Sequence, residues 1–202
     1  MANPPKKTPT VCIVESLRFL EEDTHREGEI IAKTLRLSGK ETHYSYLRTR
    51  EELEAYVEEF GASPHRYLHV SCHGNEGGFG TTTGYLAAEE FARLLAPHVD
   101  NRRVFLSACL AAESKFAKTL LLNSKCISVL APVGTIQFDD AAIFWTAFYH
   151  LMFKANFASM SGAAVRATAA RCASLTGETF RLFWKANGKV VTRTIAPETL
   201  DD

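Results

Sequence analysis

The sequence predicts an α/β domain: a mostly parallel central sheet with helices on both faces and a small C-terminal β-hairpin. Three observations carry this. β-prone runs alternate with amphipathic stretches of about ten residues, the rhythm of βαβ units. No internal repeat or interdomain linker interrupts them. The chain ends in two β-prone runs joined by Asn187-Gly188, a hairpin signal.

The elements follow in order. Residues 1–10, "MANPPKKTPT", are short and polar and lack the apolar core of a signal peptide, so they read as a disordered leader before one domain, 11–202. "VCIVESL" (11–17) reads as a strand. The 27–39 stretch places Ile30, Ile31 and Leu35 on one helical stripe and stops at Gly39. "THYSYLR" (42–48) alternates as a strand does, and 50–61 places Leu53, Tyr56, Val57 and Phe60 at helical spacing. "YLHVSC" (67–72) leads into a Gly- and Thr-rich loop or hairpin, 74–86. A helix over 88–98 precedes "RRVFLSAC" (102–109), and a short helix near 114–122 precedes "CISVLAPVG" (126–134). Helices near 140–154 and 161–175 come before the final hairpin, 179–195.

Composition narrows the function. Lys+Arg and Asp+Glu both number 23, so no basic excess points to nucleic acid or a membrane surface. No run reaches the about 18 apolar residues of a membrane span. Five scattered cysteines without a CxxC fit neither a disulfide framework nor a structural zinc site. They fit mostly buried thiols in a reducing cytoplasm. "GGFGTTTG" lacks the lysine of a phosphate-binding loop, which disfavours a flavodoxin-like nucleotide-binding or signalling domain.

Chemistry gathers beyond the carboxyl ends of parallel strands, where two runs end in reactive side chains. The pleat puts Leu68, Val70 and Cys72 on one face and His69, Ser71 and His73 on the other. Phe105, Ser107 and Cys109 likewise share a face. Cys72 therefore reads as packed. If the two strands are neighbours, His73 faces Cys109 across a cleft. A free thiol is only a few per cent thiolate near neutrality, so a nearby imidazole is the activator such chemistry needs. Gly74 lets a ligand approach the backbone, and its N–H with that of Cys109 would make an oxyanion hole. A metal site built from His69, Cys72 and His73 is disfavoured, because Cys72 and His73 point to opposite faces.

These segments resemble the CHAT family of caspase-like cysteine peptidases, in clan CD. An apolar strand ends in His-Gly ("YLHVSCHG"), and a later strand ends in Ser-Ala-Cys ("RVFLSAC"). A Pro-Val turn then precedes an Asp- and Ala-containing helix ("VLAPVGTIQFDDAAIFWTAFYHLMF"). The resemblance covers roughly residues 65–155. It implies a caspase-like fold, with His73 as base and acid, Cys109 as nucleophile and Gly74 at the oxyanion. The family often continues Glu-Thr-Gly after the cysteine, whereas this chain reads "LAAES". Its substrate preference is therefore not transferred.

Asp139 and Asp140 border the cleft in such a fold and would supply negative charge to the pocket for the residue before the scissile bond, favouring Arg or Lys. Capping of a helix beginning at 141 is their commoner role, and the preferred one. Glu76 lies near enough to orient His73 but reads as a solvated loop residue, because the resemblance implies a dyad without a carboxylate. Phe138, Phe144, Trp145, Phe148 and Tyr149 read mostly as helix core, with one member lining a pocket.

The expectation is a cysteine endopeptidase needing no cofactor or metal and acting on a protein. The resemblance suggests a bacterial cytoplasmic effector in antiviral defence or programmed cell death. The chain shows no sensor module, so an activating or inhibitory partner, oligomerisation or processing is expected to control it. The alternative is an inactive scaffold that serves as a protein-interaction module.

Overall fold

The computed structural model describes residues 8–198. Strand β1 (Thr8–Ser16), helix α1 (Glu27–Leu37), β2 (Thr42–Tyr46) and α2 (Arg50–Ala62) open the chain. β3 (His65–Cys72) follows, then a small antiparallel sheet of β4 (Gly74–Asn75), β5 (Gly78–Gly80) and β6 (Tyr85–Ala87). The alternation continues through α3 (Ala88–Leu95), β7 (Arg103–Ser107), α4 (Phe116–Asn123) and β8 (Ser128–Pro132). α5 (Phe138–Ala155), α6 (Gly162–Thr176), β9 (Phe180–Ala186) and β10 (Lys189–Ile195) complete the described chain.

The main sheet has seven strands in the order β10-β9-β8-β7-β3-β1-β2. The five from β8 to β2 are parallel, and the terminal hairpin adds β9 and β10 antiparallel. β1 begins at Thr8 with Thr10 buried, so residues 8–10 belong to the strand and not to a leader. Residues 1–7 lie outside the described residues. The Gly- and Thr-rich stretch is the small sheet, and β7 stops at Ser107, two residues before Cys109. Among the described residues no helix is long and apolar enough to cross a membrane.

Alternation along each strand splits the core in two. Cys12, Val14, Leu68, Val70, Val104 and Leu106 pack towards α2, α3 and α4. Val11, Ile13, Tyr67, Phe105 and Leu130 pack towards α1, α5 and α6, where Phe144 stacks on Phe180 at 3.7 Å and ties the hairpin to α5. Local chemistry sets the element ends. Thr49 and Glu52 form a reciprocal capping box on α2, and Ser161 caps α6, which stops at left-handed Gly177. Asn187 and Gly188 both have positive φ, as a two-residue hairpin turn needs. The buried Arg102 guanidinium donates to the carbonyls of Phe60, Gly61 and Ser63, satisfying the end of α2.

Helix α1 has no side-chain cap of its own; β1 supplies one. Fully buried Glu15 accepts the Gly28 amide at 2.7 Å and the Tyr44 hydroxyl at 2.8 Å. Burial outweighs these hydrogen bonds and pushes its carboxyl from 4.5 up to about 7. Between those pH values the folded chain holds a proton that the unfolded chain has released. Stability from this group therefore falls as pH rises through the window, by about 3 kcal/mol at most. Glu15→Gln is expected to flatten that decline in urea titrations run from pH 4.5 to 7. An unchanged slope would exclude Glu15 as its source.

Candidate active site

β3 and β7 are parallel neighbours, with Ser71 paired to Ser107. Two residues beyond that pair, on the same side of the molecule, the strands give way to His73 and Cys109. The following residue, Gly74, is pressed onto the turn that carries Cys109. A Cβ there would lie 2.7 Å from the Cys109 carbonyl oxygen and 2.9 Å from the Ala108 Cβ. Any side chain at 74 would push the two strand exits apart. Gly74→Ala is expected to cost about 1–3 kcal/mol in denaturant titrations. A wild-type midpoint would show that the exits yield freely.

The structure separates the thiols. Cys12, Cys72, Cys126 and Cys172 are buried, and Cys109 alone of the five is partly exposed. Burial pushes the thiols of Cys12, Cys72 and Cys126 up to about 12 and that of Cys172 to about 11. Cys72 packs with the aliphatic residues on the α2–α4 face, as the pleat predicts. Cys109 Sγ accepts the Ile136 amide at 3.4 Å and donates to the Ile136 carbonyl at 3.6 Å. Leu110, next in the chain, has a left-handed backbone (φ 57°), an uncommon conformation for a residue with a side chain.

His73 has a partner that the sequence does not announce. Its Nε2 hydrogen-bonds Glu21 Oε2 at 2.6 Å. Burial raises the Glu21 carboxyl, but the His73 hydrogen bond, the Arg18 amide and the charges of both residues outweigh it and hold the group below the usual range. Glu21 lies in the loop from β1 to α1, which Arg48 pins by a two-nitrogen fork onto Glu22, both contacts at 2.8 Å. The Phe138 and His73 rings meet edge to face, with centroids 5.6 Å apart, and His25 packs on Phe138 at 4.7 Å. Glu76 is exposed in the β4–β5 turn, where the sequence places it. Among the described residues no hydrogen bond joins the side chains of His73 and Cys109.

The amides sort by use. The Gly80 amide donates to the His73 carbonyl at 2.9 Å. Antiparallel pairs alternate between hydrogen-bonded and open, so Gly74, opposite Phe79, turns its N–H away from β5. After Cys109, the Leu110 amide binds the Gly134 carbonyl at 2.9 Å and the Ala111 amide the Ala108 carbonyl at 3.2 Å.

Two cavities flank this corner. One, about 340 Å³, is lined by Arg18, His73, Gly74, Thr82 and Tyr85 among others. The other, about 420 Å³, is lined by His25, Glu27, Gln137, Phe138 and Asp139 among others. Asp139 reaches a cavity beside His73, whereas Asp140 is not among the lining residues. Neither caps a helix beginning at 141: α5 starts at Phe138, Gln137 occupies the cap position, and both aspartates sit in the first turn. There their charge suits the helix dipole. Phe144, Trp145, Phe148 and Tyr149 are buried, as predicted, and Phe138 is the one that reaches the site.

Glu27, also unforeseen, lies behind the two strand exits. From the first turn of α1 its Oε2 accepts the Ser71 hydroxyl at 3.1 Å and the Ser107 hydroxyl at 2.9 Å. One buried carboxyl oxygen thus clasps both strands immediately below His73 and Cys109. Among the described residues its other oxygen has no hydrogen-bond partner; it faces His69 Nε2 at 3.8 Å, while His69 Nδ1 pairs with the Tyr149 hydroxyl at 3.0 Å.

Solved structures share this architecture. Gingipain R, an Arg-specific cysteine proteinase, aligns with 81% of this chain and 41% of its own, at 13% identity and a TM-score of 0.54. The Saccharomyces cerevisiae separase–securin complex aligns with 86% of this chain and 11% of its own, at 15% identity and a TM-score of 0.52. The fold is caspase-like. A structural-genomics target from Geobacter sulfurreducens matches end to end, over 97% of this chain and 96% of its own, at 12% identity and a TM-score of 0.50. The caspase-like chain thus spans less than half of gingipain R and about a tenth of separase. No family model and no curated protein matches its sequence.

Proposed function

We propose that this caspase-like domain is a cysteine endopeptidase of the CHAT type, with Cys109 as nucleophile and His73 as base and acid. The observation that carries the reading is that Gly74, next to His73, is pressed onto the turn of Cys109, the one partly exposed cysteine, at the exits of adjacent parallel strands. With Nε2 engaged by Glu21, Nδ1 is the imidazole nitrogen left to accept the thiol proton. Cys109 Sγ then adds to a peptide carbonyl, and the Gly74 and Cys109 amides receive the oxyanion. His73 returns the proton to the departing amine, and water hydrolyses the thioester. No cofactor or metal enters these steps. Asp139, in the cavity beside Phe138, would favour Arg or Lys before the scissile bond. The Arg specificity of gingipain R is compatible with that, and Asp140 contributes charge only from outside the cavity.

The setting follows the same resemblance: a bacterial cytoplasmic effector in antiviral defence or programmed cell death, controlled by a partner protein, oligomerisation or processing. In the present arrangement Ile136 holds the thiol, which supports a control step that moves this loop. The same contact favours the second reading, an inactive caspase-like scaffold that binds proteins. Mapping new protein N-termini in cells expressing the wild type or Cys109→Ala separates the two. Cleavages dependent on Cys109, after basic residues, are expected. None under any activating condition would leave the scaffold.

A further inference from the structure

A third cavity lies at the opposite end of the sheet, between the C-terminal halves of α1 and α5. Its volume is about 230 Å³, and Ile31, Leu35, Tyr149 and Phe153 give it mostly apolar walls. Three of its lining residues are basic (Lys40, His150 and Lys154), and none is acidic. Lys40 matters most, because it is only 3% exposed. Its ammonium donates to the Phe157 carbonyl at 2.8 Å and lies 4.1 and 4.0 Å from the ring centroids of Phe153 and Phe157.

These contacts explain how the cation is tolerated, since aromatic faces and a carbonyl near the end of α5 both attract positive charge. They do not complete it. An ammonium has three N–H donors, and the carbonyl takes one. The acid whose charge reaches Lys40 is the next residue, Glu41, which is exposed and pairs with His43. Burial accordingly lowers the Lys40 amine to about 8. Thr146 also lines the cavity, and its Oγ1 is buried and, among the described residues, without a hydrogen-bond partner. Apolar walls, a desolvated cation lacking a carboxylate and an idle hydroxyl together describe a ligand with an apolar body and an anionic head.

We propose that this cavity binds an amphiphilic carboxylate, a medium-chain acyl acid whose head group meets Lys40 and Thr146 and whose chain lies along Ile31, Leu35 and Phe153. The site is separate from the His73–Cys109 corner and does not depend on the peptidase reading.

Titration of the labelled protein with sodium decanoate, followed by NMR, tests this on the wild type. Shifts confined to Ile31, Leu35, Phe153 and Phe157 are expected, saturating with decanoate and absent with decanol or decyltrimethylammonium. Lys40→Met, checked for folding by its own spectrum, should weaken decanoate binding about tenfold or more, the worth of a charged hydrogen bond. Equal response to the alcohol, shifts centred on exposed apolar residues such as Phe19 and Leu20, or no shift at millimolar decanoate would each overturn the proposal. If Lys40→Met does not fold, the wild-type comparison of the three amphiphiles decides alone.

Discussion

His73→Ala is expected to slow alkylation of Cys109 by a peptidyl electrophile about 10²–10⁴-fold, the usual worth of a positioned general base. The other four thiols are buried with raised pKa values, so labelling of the wild type should fall on Cys109 without competition. Glu21→Gln is the informative companion. The carboxylate holds Nε2 at 2.6 Å and, in the proposed mechanism, would stabilise the imidazolium formed when the thiol gives up its proton. Glutamine keeps the shape and loses the charge, so a loss of about tenfold to a hundredfold, smaller than that of His73→Ala, is expected. A wild-type rate in Glu21→Gln would reduce the pair to a dyad that needs no carboxylate. A wild-type rate in His73→Ala would remove the activated-thiol mechanism altogether.

Glu27→Ala is expected to destabilise the fold by about 2–5 kcal/mol, because it strands two buried hydroxyls and leaves a void between α1 and the sheet. The same change frees β3 and β7 where His73 and Cys109 emerge, so Cys109 labelling should slow even where the protein remains folded. Glu27→Gln retains an oxygen for Ser71 and Ser107 and offers an amide to His69 Nε2. It should cost under about 1 kcal/mol. Urea titration and labelling of the two variants side by side check this. If alanine is tolerated, the carboxyl does not clasp the strands. If glutamine is as damaging as alanine, its charge is what counts.

Glu21 and His73 are 52 residues apart, and nothing in "LEEDTHRE" distinguishes Glu21 from the neighbouring acids. Only the order of strands brings the loop after β1 beside the exit of β3. Glu27 escapes sequence reading for a related reason. A glutamate in the first turn of a helix is ordinary, and its burial becomes visible only when α1 lies across Ser71 and Ser107. The aspartates show the reverse difficulty. Their position before an apolar helical run suggests a cap, yet the helix starts one residue ahead of them, with Gln137 at the cap.

The sequence by itself determined the alternation of strands and helices, the face on which Cys72 is packed, and the two strand exits where His73 and Cys109 stand. Periodicity of two and of 3.6 is a local property, and it is written along the chain. The tertiary structure decided which strands are neighbours, that Gly74 presses on the Cys109 turn, and that Glu21 and Glu27 serve this corner. Contacts between distant segments depend on how whole elements pack. The chain therefore shows which residues are available for chemistry, and the fold decides which of them meet.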